Sequence, residues 1–132
     1  MLQSLNIIFF IAHTALMIFN LTGWAIPRTR WPHLICLLAT MFSWFVMGAT
    51  RGLGYCLCTD WHFQVRRAMG LHDGVRSYLQ LLARVFTGMQ MNKFTSDVLA
   101  VGGLLFAVVA TTIIWRRDWL KKRWTPKIER TL

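Results

Sequence analysis

An uncharged apolar run that ends in a cluster of basic residues and tryptophans constrains this chain more than any other feature. The run extends from Val98 to Trp115, and its eighteen residues would rise roughly 27 Å as a helix, close to the hydrocarbon thickness of a bilayer. Lys and Arg directly after a span are typical of the end that stays in the cytoplasm. The segment therefore predicts a transmembrane helix followed by a basic anchor for anionic lipid headgroups, formed by Arg116, Arg117, Lys121, Lys122 and Arg123.

Two earlier segments are also long and apolar enough to cross a bilayer. The first runs from Ile7 to Ile26 and the second from about His33 to Thr50, with Pro32 suited to the first turn of its helix. Because a very short turn, Pro27-Arg28-Thr29-Arg30, separates them, the two spans should be antiparallel neighbours. The N-terminus lacks the basic region of a cleavable signal, so we expect the first span to remain as an anchor.

Residues 75–92 have the pattern of an amphipathic helix rather than of a fourth span. One face is apolar, and Arg76 and Arg84 lie on the other. An Arg at the centre of a helix in lipid costs about 2.5–3.5 kcal/mol or more. We therefore expect this helix to lie in the interface or over the bundle, with Asp73 as its cap. A shorter helix should precede it, capped by Thr59, beginning at Asp60 and ending before a left-handed Gly70.

These elements predict an all-α integral membrane bundle in a single domain covering residues 1–132. It has three transmembrane helices at about 7–26, 33–50 and 98–115. An outer cap at 51–95 contains the short helix and the amphipathic helix. A basic cytoplasmic tail at 116–132 completes the chain.

The distribution of charge predicts the orientation in the membrane. Of the 15 Lys and Arg residues, the side shared by the first turn and the tail holds the larger group: Arg28, Arg30, Arg116, Arg117, Lys121, Lys122, Arg123, Lys127 and Arg130. The positive-inside rule then puts the N-terminus outside and the C-terminus inside. Because the basic residues follow span ends, the net charge of +10 favours anionic lipid over nucleic acid as the partner.

The densest group of reactive side chains follows the second span, between Gly52 and Arg66. His13 lies in the outer half of the first span, so the topology brings it to a similar depth. An ionisable residue inside a membrane usually has a partner, and this segment supplies several. The candidate functional cluster is His13, Cys56, Cys58, Thr59, Asp60, His62 and Arg66.

Four interpretations of this cluster remain open from the sequence. An extended strand would present Cys56, Cys58, Asp60 and His62 on one face as metal ligands, although a helix would scatter them. Cys56 and Cys58 could instead form a strained redox disulfide. His13 and His62 could bind a haem, whereas His33 lies at the opposite end of its span, too far from His13 to pair with it. The fourth interpretation is a structural plug in which His13 hydrogen-bonds to the capping loop.

The remaining features favour a non-catalytic protein. No paired acids, Ser-His-Asp order or phosphate loop is present, and Asn20 is expected to hydrogen-bond a neighbouring helix. Stripes of small residues on the second and third spans allow close helix packing or docking on a larger partner. We therefore predict an accessory or stabilising subunit of a larger membrane complex. The alternatives are a haem- or metal-binding redox protein using the cluster, and a lipid-binding protein with a headgroup beside Arg66 and Arg67.

Three groups of residues give the chain a resemblance to a family of small bacterial inner-membrane proteins catalogued as a domain of unknown function. They are His13, the segment Arg30-Trp31-Pro32-His33-Leu34, and the segment Cys56-Leu57-Cys58-Thr59 with Val65-Arg66. The family pattern has a His in the first helix, His-Leu at the second, and then Cys-Pro-Leu-Thr, an acidic or His residue, and Leu-Arg. Cys56, Thr59, His62 and Arg66 match it over about residues 6–115, whereas Leu57 replaces the Pro and Cys58 the Leu. The resemblance implies a small helical protein of a bacterial inner membrane and no particular activity, and it does not require the Cys-x-Cys pair.

Overall fold

The computed structural model describes residues 1–52, 55–72 and 74–128, with side chains up to Arg123. The described residues form helices and no strand, which confirms the predicted all-α class. The helices are α1 (Leu2–Thr22), α2 (Arg30–Arg51), α3 (Leu57–Ala68), α4 (Tyr78–Thr87) and α5 (Lys93–Ile128), with a 3₁₀ turn at Pro27–Thr29 between α1 and α2. Three stretches of the described chain are long and apolar enough to cross a membrane, namely Leu2–Thr22, Pro27–Arg51 and Lys93–Arg123. The protein is therefore a multi-pass membrane protein.

Polar contacts fix α1 against α2. The side-chain amide of Asn20 donates to Thr40 Oγ1 at 2.9 Å, which confirms the predicted interhelical bond. His33 is fully buried, and its Nε2 lies 2.9 Å from the Asn20 carbonyl oxygen. Gly23 allows this close approach, since a Cβ there would lie 2.7 Å from His33 Cδ2. The two helices thus form a tight hairpin that requires a glycine at its corner.

The α1–α2 turn and the C-terminal half of α5 form one end of the bundle, which we call the basic end. Arg30 and Asp118 form an ion pair that joins α2 to α5. Trp31 and Trp115 pack edge to face with ring centroids 5.2 Å apart. The predicted anchor residues Arg116, Arg117, Lys121, Lys122 and Arg123 are all exposed here. The predicted basic tail is helical as far as Ile128, whereas residues 129–132, including Arg130, and the side chains of Trp124 and Lys127 lie outside the described residues.

Helix α3 begins three residues earlier than the sequence predicts. Its N-cap is Cys56, whose backbone is extended, and the Leu57 N–H in the first turn donates to Ser43 Oγ of α2 at 2.9 Å. Thr59 is therefore inside the first turn, and the prediction that it caps a helix starting at Asp60 is wrong. The predicted left-handed position at Gly70 is confirmed, with φ of 76° just after the helix.

Helix α4 begins at Tyr78, so the prediction of a start near Val75 is also wrong. Ser77 Oγ accepts from the Gln80 backbone N–H at 3.3 Å, and the Gln80 side chain accepts from the Ser77 N–H at 3.1 Å. This reciprocal capping box fixes the start of the helix, whereas Asp73 lies outside the described residues. Contact between the hydroxyls of Ser77 and Ser96 ties α4 to the start of α5. At ten residues, α4 is too short to span, which supports its predicted place in a cap. We call this end of the bundle the cap end.

Candidate functional site

The site lies at the cap end, where α3 and α4 cover the start of α1. A small aromatic core holds the cap together: Tyr55, Phe63, Tyr78 and Leu81 are buried, and Phe10 and Met17 of α1 pack against them. Burying large aromatic side chains supplies most of the stabilisation available to so small a core. The cap is therefore fixed to α1 directly above the first intramembrane histidine.

His13 and Cys56 meet in this core although 43 positions separate them in the sequence. The Sγ of Cys56 lies 3.6 Å from His13 Nε2, and Thr59 Oγ1 lies 3.2 Å from the same sulfur. His13 is 4% exposed and Cys56 is 8% exposed, so water has little access to the pair. The structure thus brings His13, Cys56 and Thr59 together, as their shared depth in the predicted topology indicated.

Tyr78 belongs to this group of contacts but is not among the residues that the sequence pattern picks out. Its ring stacks on the His13 imidazole with centroids 3.8 Å apart. Its hydroxyl donates to the Phe10 carbonyl at 2.7 Å and lies 2.7 Å from Thr14 Oγ1. Burial raises the pKa of the Tyr78 phenol above its usual range, so it stays a donor at neutral pH. The sequence signal that could have located it is the Ser77–Gln80 capping box, which makes Tyr78 the first residue of α4.

His62 lies beside this group but has its own partner. It is fully buried, and its Nε2 lies 2.9 Å from the side-chain oxygen of Asn6, while its ring is 6.0 Å from that of Tyr78. Burial, and secondarily the positive charge of Arg66, lowers the pKa of His62 to about 4. His62 is therefore neutral at physiological pH and joins α3 to the first turns of α1.

Asp60 belongs to a separate network that ties α3 to the end of α2. The Tyr55 hydroxyl donates to Oδ1 at 3.2 Å, Gln64 donates to Oδ2 at 2.7 Å, and the Arg51 guanidinium lies 3.4 Å away. A buried carboxylate with three partners is a structural anchor. Asp60 is thus held by neighbours other than the His13–Cys56 pair.

The other two members of the predicted cluster, Cys58 and Arg66, are partly buried, and burial raises the pKa of the Cys58 thiol.

The geometry gives little support to the metal, haem and disulfide interpretations. No group of three or more His, Cys, Asp or Glu side chains among the described residues is arranged to hold a metal ion. The extended strand that would align Cys56, Cys58, Asp60 and His62 is replaced by helix α3. A haem between His13 and His62 does not fit, because the Tyr78 ring packs against both imidazoles and each Nε2 faces a protein atom. The three cysteines are free thiols in the structure.

A cavity of about 290 Å³ begins at the His13–Cys56 pair and extends between α1, α2 and α5. Much of its wall is apolar, from residues such as Leu16, Met17, Trp44, Leu104 and Ala107. Two buried polar atoms on residues of this wall, His13 Nδ1 and Asn20 Oδ1, have no hydrogen-bond partner among the described residues. Seven residues apart, His13 and Asn20 share one face of α1, about 10 Å from each other along its axis. Burying a polar atom without a hydrogen-bond partner reduces the stability of the folded protein, so the two atoms need an explanation.

Three apolar helices and a short cap over a mostly apolar cavity define a small helical membrane protein. The chain belongs to the family described as Protein of Unknown function (DUF2784), whose model matches residues 3–117. The expected membership of a family of unknown function is thereby confirmed. Comparison with curated proteins and comparison with solved structures give no match.

Proposed function

We propose that the protein binds a single-chain, lipid-like molecule in the cavity between its membrane helices. The observation that carries this proposal is the pairing of an apolar cavity with two buried, unpartnered polar atoms on its wall, His13 Nδ1 and Asn20 Oδ1. A mostly apolar pocket with a few convergent polar groups is the usual form of a small-molecule site. The lipid-binding alternative from the sequence is retained, with its site moved from Arg66 and Arg67 to this cavity.

The size and position of the cavity favour one apolar chain as the occupant. About 290 Å³ is near the lower bound of ligand pockets, roughly 300 Å³, and is too small for a two-chain lipid. Leu21 and Leu99 line the cavity and are also exposed on the outer surface of the bundle. This exposed surface faces lipid in a membrane protein, so a ligand would enter sideways from the bilayer.

The two polar atoms define the chemistry of the ligand. When Nε2 of His13 accepts the thiol proton of Cys56, Nδ1 carries the imidazole hydrogen and is a donor. The Asn20 amide nitrogen donates to Thr40, which leaves its Oδ1 as an acceptor. The ligand should therefore have a carbonyl or other acceptor oxygen near His13, and a hydroxyl further along the chain would satisfy Asn20.

Filling the cavity tests the proposal, and adjacent glycines provide a matched pair of variants. Gly103 lines the cavity, and a Cβ there would make an ordinary contact with Leu21 at 3.5 Å. Gly102 is exposed, and a Cβ there would meet nothing within 4 Å. We expect Gly103→Leu to reduce the lipid-like molecule that co-purifies in mild detergent at least tenfold, whereas Gly102→Leu leaves it unchanged. Extraction followed by mass spectrometry measures the amount per protein.

Two results would contradict ligand binding. One is wild-type protein that carries no stoichiometric small molecule and does not take up a single-chain fatty acid or its ester from labelled vesicles. The other is an equal loss in both glycine variants, which would trace the effect to helix packing rather than to the cavity.

The accessory-subunit role that the sequence predicts concerns a different surface and is compatible with ligand binding. Exposed apolar residues such as Phe42 and Phe45 lie along α2, as docking on a partner protein would require. Contact with lipid requires an apolar surface of the same kind, so these residues do not favour docking. Contact with lipid explains the exposed apolar surface but does not explain the cavity. For this reason we favour ligand binding as the function. Co-purification of a larger membrane complex with the full chain would support the subunit role in addition.

We further propose that the basic end faces the cytoplasm and the cap end the opposite side, in a bacterial inner membrane. The exposed lysines and arginines at the basic end support this orientation. A membrane-impermeant maleimide applied to intact cells should label His72→Cys above the wild-type level and Arg28→Cys only after permeabilisation, because His72 and Arg28 are exposed at opposite ends. The reverse pattern would overturn the orientation and leave the cavity proposal intact.

A further inference from the structure

We propose that Cys56 and His13 form a thiol–imidazole pair that accepts an acyl group from the ligand and holds it as a thioester. This inference rests on the proposed function, because the acyl donor is the lipid-like molecule in the cavity. The donor is an activated long-chain acyl ester, either an oxyester or a thioester. Cys56 and Thr59 line the cavity on the Nε2 side of His13, so during transfer the acyl carbonyl would lie against the sulfur rather than against Nδ1.

The geometry has the elements of an activated nucleophile. Sγ of Cys56 is within hydrogen-bond reach of His13 Nε2, at 3.6 Å, and the Thr59 hydroxyl is 3.2 Å from the sulfur. A nucleophile needs its base oriented by a third group, and the stacked Tyr78 ring at 3.8 Å fixes the plane of the imidazole. Cys56 is the N-cap of α3, so the start of this helix holds the sulfur beside His13.

The chemical step is a simple acyl exchange. The Cys56 thiol gives its proton to His13 Nε2 as the sulfur attacks the acyl carbonyl carbon. A carbon–sulfur bond forms, and the bond from the acyl carbon to the leaving oxygen or sulfur breaks. The proton on His13 then passes to the leaving group, which departs as an alcohol or a thiol. The step involves no change of oxidation state and needs no reactant beyond the acyl ester.

The other two cysteines provide controls inside the same molecule. Among the described residues that line the cavity, Cys56 is the one cysteine. Cys58 and Cys36 are both more exposed than Cys56. Nonspecific acylation would favour these more accessible thiols. Selective modification of Cys56, the most buried of the three, would therefore show that its surroundings promote the reaction.

The test is to incubate the full-length protein in nanodiscs with an alkyne-tagged long-chain acyl thioester and to map the label by peptide mass spectrometry. We expect a hydroxylamine-sensitive label on Cys56 in wild-type protein and in Cys58→Ser, and none at that position in Cys56→Ser. In His13→Gln the rate should fall roughly 100-fold or more, the usual contribution of a general base. Glutamine keeps a polar side chain at this position but cannot relay the proton.

The outcomes separate this inference from the proposed function. No label in the wild type, or equal labelling of Cys36, Cys58 and Cys56, would overturn the acyl-acceptor role. The proposed function would survive that result if Cys56→Ser still co-purified with its ligand and Gly103→Leu did not. If wild-type protein is labelled selectively on Cys56 and this label persists in Gly103→Leu, the thiol–imidazole pair stands and the cavity is not the ligand site.

Discussion

Replacing Tyr78 with alanine is expected to lower the free energy of unfolding by about 3–5 kcal/mol, as for other buried aromatic residues. The side chain is 3% exposed, stacks on His13 and donates a hydrogen bond to the Phe10 carbonyl. Its loss removes the main contact between α4 and α1 and leaves a void above the imidazole. Thermal or denaturant unfolding in mild detergent measures the effect. Cleavage by trypsin at Arg76 or Arg84 should also become faster as α4 detaches.

Two variants separate this contribution from a general effect of truncating an aromatic residue. Phe86 lies on the same helix but is 71% exposed, so Phe86→Ala should change stability by less than about 1 kcal/mol. Tyr78→Phe keeps the stacking and loses the hydroxyl, which should cost about 1 kcal/mol. Equal destabilisation by Tyr78→Ala and Phe86→Ala would contradict the role of Tyr78 in fixing the cap.

The membrane helices could be predicted from the sequence because their signal is physical and local. An apolar run such as Val98–Trp115 must pair its backbone groups internally in lipid, and a helix does this without any partner segment. The ends of the cap helices were harder to predict from the sequence. The starts of α3 and α4 depend on Ser43 and on the reciprocal Ser77–Gln80 bonds. The Ser77–Gln80 signal is readable in the sequence, whereas Ser43 lies in another helix and only the folded chain reveals it.

The candidate site was partly predictable for the same reason. Helix topology alone placed His13 at the depth of Cys56, and the two are in contact. It could not identify Tyr78, whose stacking on His13 depends on where α4 crosses α1. It also grouped Asp60 with the cluster, although Asp60 binds Tyr55, Gln64 and Arg51 instead. Depth in the membrane follows from sequence, but the direction of a side chain around the helix axis follows from packing.

Acidification is expected to destabilise the cap through His62. Its pKa is about 4 in the folded protein against about 6.5 for an exposed histidine. Between these values the unfolded chain binds more protons than the folded one, so stability is complete above pH 6.5 and is lost as the pH falls toward 4. A shift of this size corresponds to roughly 3 kcal/mol over that window. The midpoint of thermal unfolding, measured from pH 7.5 to 4.5 in one detergent, tests the prediction.

The variant His62→Gln isolates this contribution from other titrating groups near the cap. Glutamine can still hydrogen-bond to Asn6 but has no proton to gain, so the unfolding midpoint should depend less on pH than in wild type, although the variant starts from lower stability. The groups that face His62 are Arg66 on its own helix, Tyr78 on α4 and His13 on α1. Arg66, Tyr78 and His13 are present in both proteins, so a difference in pH dependence between the two traces to His62. An identical pH dependence in the two proteins would show that His62 is not held neutral by burial.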